Sequence, residues 1–215
     1  MSTEERREQL RAALIDAAEA AIVQGGLGAL KARDLAREAG CAVGAIYTVF
    51  PDLDALILSV NLRTLHLFES TITAVRTATA EGSGPPDPEA AIGDLVRLAV
   101  SYQCFAMEHP TRWRALFQHR MAAMPPDWYM REQVRLFRHI EAPLAVLRPD
   151  LAGAERALLA RTLFSATHGI VSLGLDEKLM TLSEPVLRGQ IETAVTALGR
   201  GLTARTAAPH SEETP

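Results

Sequence analysis

The chain has 215 residues, 48% of them hydrophobic and 22% charged, with a formal net charge of −4. This is the composition of a globular chain with a sizeable core, not of a disordered one, and any basic face on it must come from arrangement. The start MSTEERREQ has no apolar signal segment, no stretch approaches the roughly 20 apolar residues that cross a bilayer, and Cys41 and Cys104 make no disulfide framework, so a reducing cytoplasm is expected.

In chain order, Ser2-x-x-Glu5 has the pattern of a capping box that opens a first helix. Leu10, Leu14, Ala17 or Ala18, Ala21 and Ile22 recur at helical spacing, and the stripe ends before Gly25-Gly26. The arginines near its start, Arg6, Arg7 and Arg11, fit a solvated face better than phosphate contacts, because Glu4, Glu5 and Glu8 lie among them.

The stretch Lys31 to Phe50, KARDLAREAGCAVGAIYTVF, reads as two short helices joined by a tight turn. Ala32, Leu35, Ala36 and Ala39 share one face of the first. Gly40 stands where a helix commonly ends in a left-handed residue, a conformation glycine adopts without steric cost. A second run begins after Cys41 and Ala42, with Ile46, Val49 and Phe50 on a common side. That is a helix-turn-helix signature.

The residues themselves narrow the pattern. Arg33-Asp34-Leu35-Ala36-x-x-Ala39-Gly40 followed by Gly44-x-Ile46-Tyr47-x-x-Phe50, with Gly26 before and Leu56 after, resembles the TetR family of one-component transcriptional regulators. The resemblance covers roughly the first quarter of the chain. It implies that DNA is met by Lys31, Ala32 and Arg33 at the start of the first motif helix and by Cys41, Ala42, Val43, Gly44, Tyr47 and Thr48 in the second. Lys31 and Arg33 suit phosphates or, for arginine, guanine edges. Tyr47 and Thr48 offer hydroxyls, Gly44 lets backbone approach a phosphate, and Ala42 and Val43 offer apolar contact, for example with thymine methyls. The chain departs from the family pattern at Lys31, Ala42, Val49 and Leu53. At Ala42 the usual Ser or Thr cap is missing, a loss of roughly 1 kcal/mol of capping.

Pro51-Asp52 is expected to open a long helix to about Glu81, with Leu58, Leu62, Leu65, Phe68 or Glu69, Ile72 and Val75 tracing its spacing. Glu81 to Pro88, EGSGPPDP, reads as a linker, and Asp87-Pro88 as the cap and first turn of the next helix. That helix, about Pro88 to Glu108, carries Ile92, Leu95, Val96, Val100, Tyr102 and Phe105. Pro110 starts another with Trp113, Leu116 and Phe117. After a break at 121–126, a helix from about Asp127 to Glu141 holds Trp128, Val134, Phe137 and Ile140, and Pro143 and Pro149 are expected to interrupt it. The last third predicts two helices, about Leu151 to Lys178 and about Ser183 to Arg205. Leu159, Leu163, Ala166, Ile170 and Leu173 stripe the first; Ile191, Val195, Leu198 and Leu202 stripe the second.

Phe164-Ser165-Ala166-Thr167-His168-Gly169 is similar to a Trp-x-x-x-His-Gly motif of one group of TetR-family C-terminal domains, with Phe164 in place of Trp, and FAMEHP at 105–110 looks like the same group. By periodicity alone the aromatic side chains of the middle region are core packing. The resemblance instead implies an effector pocket, for which Phe68, Tyr102, Phe105, Trp113, Phe117, Phe137, Phe164 and His168 are the candidate lining. His168 fits a ligand contact or a satisfied core or interface histidine. The resemblance also implies a homodimer through the last two helices, whose small residues Ala166, Gly169, Gly174, Ala194, Ala197 and Gly201 allow close helix approach.

No catalytic or metal-binding constellation is visible: no Gly-x-Ser-x-Gly, His-Glu-x-x-His, phosphate loop or metal-ligand spacing. No cofactor or enzyme activity is expected. The expected architecture is all-α, with a three-helix helix-turn-helix head over 1–50, a ligand-binding and dimerisation bundle over 51–206 and a disordered tail over 207–215. The expected function is a cytoplasmic repressor that binds palindromic operator DNA as a homodimer and is released by a small, largely hydrophobic effector. The competing expectation is a helical ligand-sequestering dimer whose head has lost useful DNA affinity.

Overall fold

The structure, a computed structural model, describes residues 2–79, 87–121, 124–176, 178 and 181–207. Within them the chain is all-α, with no strand among the described residues. The helices are α1 (Thr3–Gly25), α2 (Ala32–Glu38), α3 (Val43–Val49), α4 (Leu53–Thr79), α5 (Pro88–Glu108), α6 (Pro110–Gln118), α7 (Asp127–Leu147), α8 (Gly153–Gly174) and α9 (Glu184–Ala207), with a 3-10 turn at Leu27–Ala29. No single helix among the described residues is long and apolar enough to cross a membrane. The chain divides into two compact units, Met1–Glu69 with Phe105–Glu132, and Ser70–Cys104 with Gln133–Pro215.

In the first unit, α1 opens with the predicted capping box. Glu5 N–H donates to Ser2 Oγ at 3.1 Å, and Ser2 N–H donates to the Glu5 carboxylate at 2.7 Å. The helix takes in Gly25 and ends at Gly26, whose φ is 65°. Leu14, Ile15, Ala17, Ala18 and Ile22 of α1 meet Leu35, Ala36, Ile46 and Phe50 in one core. Leu56 and Val60 of α4 and Ala115 of α6 belong to the same core. Each Leu or Ile side chain fully buried there contributes about 1.5–3 kcal/mol, so the core draws appreciably on α4. Asp52 caps that helix, its Oδ1 accepting from Ala55 N–H at 2.7 Å. Residues 56–61 of α4 are buried in succession, the pattern of a helix enclosed on all sides.

The described part of α4 stops at Thr79; the expected end at Glu81 and residues 81–86 of the expected linker lie outside the described residues. Asp87 and Pro88 do open α5 as predicted, with Asp87 Oδ2 accepting from Ala90 N–H at 3.1 Å. In the second unit, α5 buries Ala91, Ile92, Leu95, Ala99 and Tyr102. Gly199 of α9 meets Ile92 so closely that an added Cβ would lie 2.8 Å from its Cγ1.

α7 corrects one expectation. It does not stop near Glu141 but runs through Pro143 to Leu147. Proline removes one helical donor and crowds the preceding turn, yet Pro143 is buried and Leu144 and Leu147, 0% and 2% exposed, anchor the turn beyond it. Packing outweighs the local preference. Pro149 follows the end.

α8 spans Gly153–Gly174, shorter at both ends than expected. Ala152 N–H donates to Glu155 Oε2 at 3.0 Å, which is half a capping box, since alanine offers no side-chain acceptor. The buried positions of α8 are Ala160, Thr167, Val171 and Gly174. The predicted stripe lies to one side: Leu159, Leu163 and Ile170 are half-buried, while Ala166 and Leu173 are exposed. Gly174 faces its own chain, where an added Cβ would lie 2.6 Å from Leu187 Cδ1. In α9, Ile191 and Val195 are buried as predicted, Leu187 joins them, and Leu198 is 43% exposed. α9 runs to Ala207, and the rest of the expected tail, 208–215, lies outside the described residues.

Candidate nucleic-acid interface and effector region

The turn between α2 and α3 is built by backbone hydrogen bonds. Gly40, at φ +67°, sits just past the end of α2. Gly40 N–H donates to Arg37 O at 3.2 Å and Cys41 N–H to Ala36 O at 2.9 Å, the paired bonds of a Schellman closure. Only a left-handed residue makes both, and nothing approaches within 4 Å of where a Gly40 Cβ would stand. Glycine is therefore required there for its backbone and not for space.

α3 begins at Ala42, which makes no side-chain cap bond. Lys31, at the equivalent place before α2, makes none either. The leading N–H groups of both short helices are thus left to solvent or to an anion.

Of the residues implicated in DNA contact, Lys31, Arg33, Ala42, Val43, Gly44, Tyr47 and Thr48 are exposed. Val43 and Tyr47 reach 39% and 51% exposure, one turn apart on the same side of this short helix. Ala32 and Cys41 are only half-buried surface residues; both pack against the core of the first unit, so their role is at least partly structural. Thr48 Oγ1 donates to Ala45 O at 2.7 Å, which leaves its lone pairs for accepting. Arg37 pairs with Asp34 at 2.9 Å, whereas Lys31 and Arg33 have no ion pair among the described residues.

Other groups hold this region from behind, and periodicity gave no sign of them. The Arg11 guanidinium lies over the Phe50 ring, 5.3 Å from its centroid. Arg63 of α4 reaches Asp16 and Glu19 of α1 at 2.6 and 2.5 Å. Arg112 of α6 takes the other oxygen of Glu19 at 2.6 Å. Burial alone would raise the Glu19 carboxyl pKa, but the bonds and charges of Arg63 and Arg112 outweigh it and hold it below the ordinary value.

The candidate effector residues separate into groups. In the second unit, Tyr102, Phe137, Phe164 and His168 form one cluster. Phe164 meets Tyr102 and Phe137 edge-on at 5.3 and 5.4 Å and stacks on His168 at 5.9 Å. The Tyr102 hydroxyl lies 2.6 Å from His168 Nδ1. Burial lowers the His168 pKa and so favours the neutral ring. In the first unit, Phe68 contacts Phe105 at 5.0 Å, and Trp113 contacts Phe117 at 5.8 Å. Phe117 is 43% exposed and Trp113 buried. Among the described residues no group of three His, Cys, Asp or Glu is placed to hold a metal ion.

Residues 14–60 match the family described as bacterial regulatory proteins, tetR family, and residues 95–198 match the tetracyclin repressor-like C-terminal domain. The chain belongs to the TetR family. It is a TetR-family transcriptional regulator with an N-terminal DNA-binding domain and a C-terminal ligand-binding domain. Solved TetR-like folds agree over nearly the whole length. A TetR transcriptional regulator from Rhodococcus sp. RHA1 is 17% identical, covers 91% of this chain and 97% of its own, and superposes with a TM-score of 0.58. A tetR-family regulator from Streptomyces coelicolor is 19% identical, with 100% and 94% covered and a TM-score of 0.55. RolR, solved in complex with resorcinol, is 17% identical, with 94% and 96% covered and a TM-score of 0.61. No curated protein matches the chain. At these identities the structural likeness speaks for the fold alone.

Proposed function

We propose that this TetR-family regulator is a repressor that binds palindromic operator DNA as a homodimer and is released by a small, largely hydrophobic effector. The observation that carries the reading is the outer face of α3, where Val43, Gly44, Tyr47 and Thr48 are exposed, together with the exposed Lys31 and Arg33 at the start of α2. A short helix that leaves large apolar and hydroxyl side chains in water, with cations at the start of the preceding helix, suits a major groove. The DNA-reading head is residues 1–50, and 51–206 form the ligand-binding and dimerisation part.

Dimerisation through α8 and α9 is supported by Leu158, Leu173, Val186 and Leu198, which are 66%, 59%, 50% and 43% exposed on those two helices. Ala166, Ala197 and Gly201, also exposed, leave room for a second copy to approach. A two-fold dimer lets two weak heads engage two half-sites. For the effector, the Tyr102–Phe137–Phe164–His168 cluster offers ring faces and a neutral histidine, which suit an uncharged ring-bearing molecule. Resorcinol, bound by RolR, is of that size. Effector binding acts by favouring a conformation with lower operator affinity.

The test is fluorescence anisotropy with DNA from upstream of the gene and a scrambled duplex, at two salt concentrations, followed by selection over random duplexes. Tight, salt-sensitive preference for one palindrome is the expected result. Absence of any preferred duplex would overturn the repressor reading in favour of the sequestering dimer, which the acidic balance, the uncapped start of α3 at Ala42 and Leu53 motivate.

A further inference from the structure

Glu19 occupies an unusual position in the first unit. Its side chain is 20% exposed, and its two oxygens are taken by cations from different helices, Oε2 by Arg63 of α4 and Oε1 by Arg112 of α6. The two arginines are not equivalent. Arg63 has a second partner in Asp16, an exposed residue, whereas Glu19 is the sole ion-pair partner of Arg112 among the described residues. Arg112 is itself only 19% exposed, so removing Glu19 strands a largely desolvated guanidinium.

Two further contacts tie α6 to the same helix. Thr111 Oγ1 donates to Val23 O at 3.1 Å, satisfying one of the carbonyls that the end of α1 leaves without a helical donor. Ala115 lies in the core shared by α1, α2 and α3. A capping bond, an ion pair and an apolar contact, all within one short helix, hold α6 against α1.

We propose that Glu19 is a positioning residue for operator binding: by clasping Arg63 and Arg112 it fixes the α1–α3 head against α4 and α6, so that paired heads meet both half-sites in register. Glu19, Arg63 and Arg112 touch no DNA in this scheme. Their effect is preorganisation, which counts when two half-sites must be engaged at once and not when one head binds alone. The proposal rests on the operator-binding reading above.

The test uses full-length protein, the duplex selected by the wild type from random sequences, and the same duplex with one half-site scrambled. Glu19→Gln keeps the shape but turns an amide N–H toward one guanidinium; Arg112→Gln removes the second cation. Each is expected to weaken binding to the intact palindrome about tenfold while leaving the scrambled-half duplex within about twofold. Arg112→Lys, which keeps the charge, is expected to recover most of the loss. Thermal melts and amide hydrogen exchange check that the variants are folded, with faster exchange confined to the last turns of α1 and to α6. Equal losses on both duplexes, or no loss on either, would overturn the proposal. If the wild type selects no duplex at all, the operator-binding reading falls and this one with it, an outcome distinct from wild-type selection with indifferent variants.

Discussion

Gly44→Ala separates what α3 needs to fold from what it needs to bind DNA. Gly44 lies inside α3 with an ordinary helical φ, and nothing comes within 4 Å of a Cβ built on it. Alanine is favoured over glycine by about 0.8–1.0 kcal/mol in a helix interior, an upper bound for Gly44 in the first turn of α3. For a chain of this size that corresponds to a rise in Tm of at most roughly 2–4 °C. The same methyl stands on the exposed face where backbone is proposed to approach a phosphate, and is expected to weaken operator binding about tenfold, close to 1.4 kcal/mol. Gly40→Ala is the control with the opposite pattern. Its φ of +67° is left-handed, which costs an alanine about 1–2 kcal/mol, so Tm falls, with DNA affinity lost only as far as unfolding demands. The assay is a thermal melt beside anisotropy on the selected duplex. A Gly44→Ala protein that melts higher and binds the duplex as tightly as wild type would refute the close-approach argument.

Leu173→Glu and Leu198→Glu, each at an exposed position of the proposed dimer face, should raise the dimer dissociation constant by about 10²-fold or more, since two-fold symmetry counts each lost apolar contact of about 1.5–3 kcal/mol twice; sedimentation at serial dilution reads this. The lowered pKa of His168 means that the unfolded chain protonates first as pH falls. Its contribution is therefore intact above the unfolded pKa of about 6.5 and is lost as pH drops toward the folded value, so the urea midpoint of wild type should fall more between pH 7.5 and pH 5.5 than that of His168→Gln. If Lys31 and Arg33 each neutralise a phosphate in both heads, log K for the operator should fall against log salt with a slope near −4 (roughly 0.9 per contact). Lys31→Ala should then make that slope shallower by about 2.

The motifs of the head were legible because local chemistry determines its caps and turn, although its core also draws on α4 and α6. Ser2 and Glu5 form the capping box their spacing predicts, and Gly40 takes the left-handed turn between two short helices. The misjudged regions are those in which distant packing decides. Pro143 forecasts a helix end by its own stereochemistry, but two buried leucines beyond it carry the helix onward. α8 and α9 hold more apolar residues than one face can bury, so the sequence does not distinguish the side turned to the protomer's core from the exposed side proposed as a dimer face. Residue type and the motif resemblance carry no information on tertiary placement, so they do not foretell that Tyr102, Phe137, Phe164 and His168 gather in one unit while Phe68, Phe105, Trp113 and Phe117 lie in the other. The bonds of Glu19 were invisible for a simpler reason. Its partners lie 44 and 93 residues away in the chain, beyond any helical period.

The overall acidity, which leaves any basic face to arrangement, is partly offset by how the charges are placed. Asp16 and Glu19 are held by Arg63 and Arg112 behind the head, Asp34 by Arg37, and Glu5 by the backbone of α1. These carboxylates are partly neutralised where they stand, and pairing of this kind shortens the reach of their field. Lys31 and Arg33 have no such partner among the described residues and are exposed at the start of α2. On the reading proposed above, such a head is expected to bind random DNA weakly, because counterion release supplies most non-specific affinity. Specific affinity would then come from groove contacts made twice, once by each subunit of the proposed dimer. A regulator built in this way would depend on the geometry between its heads more than one with a broad basic face does, and a modest conformational change would suffice to release it.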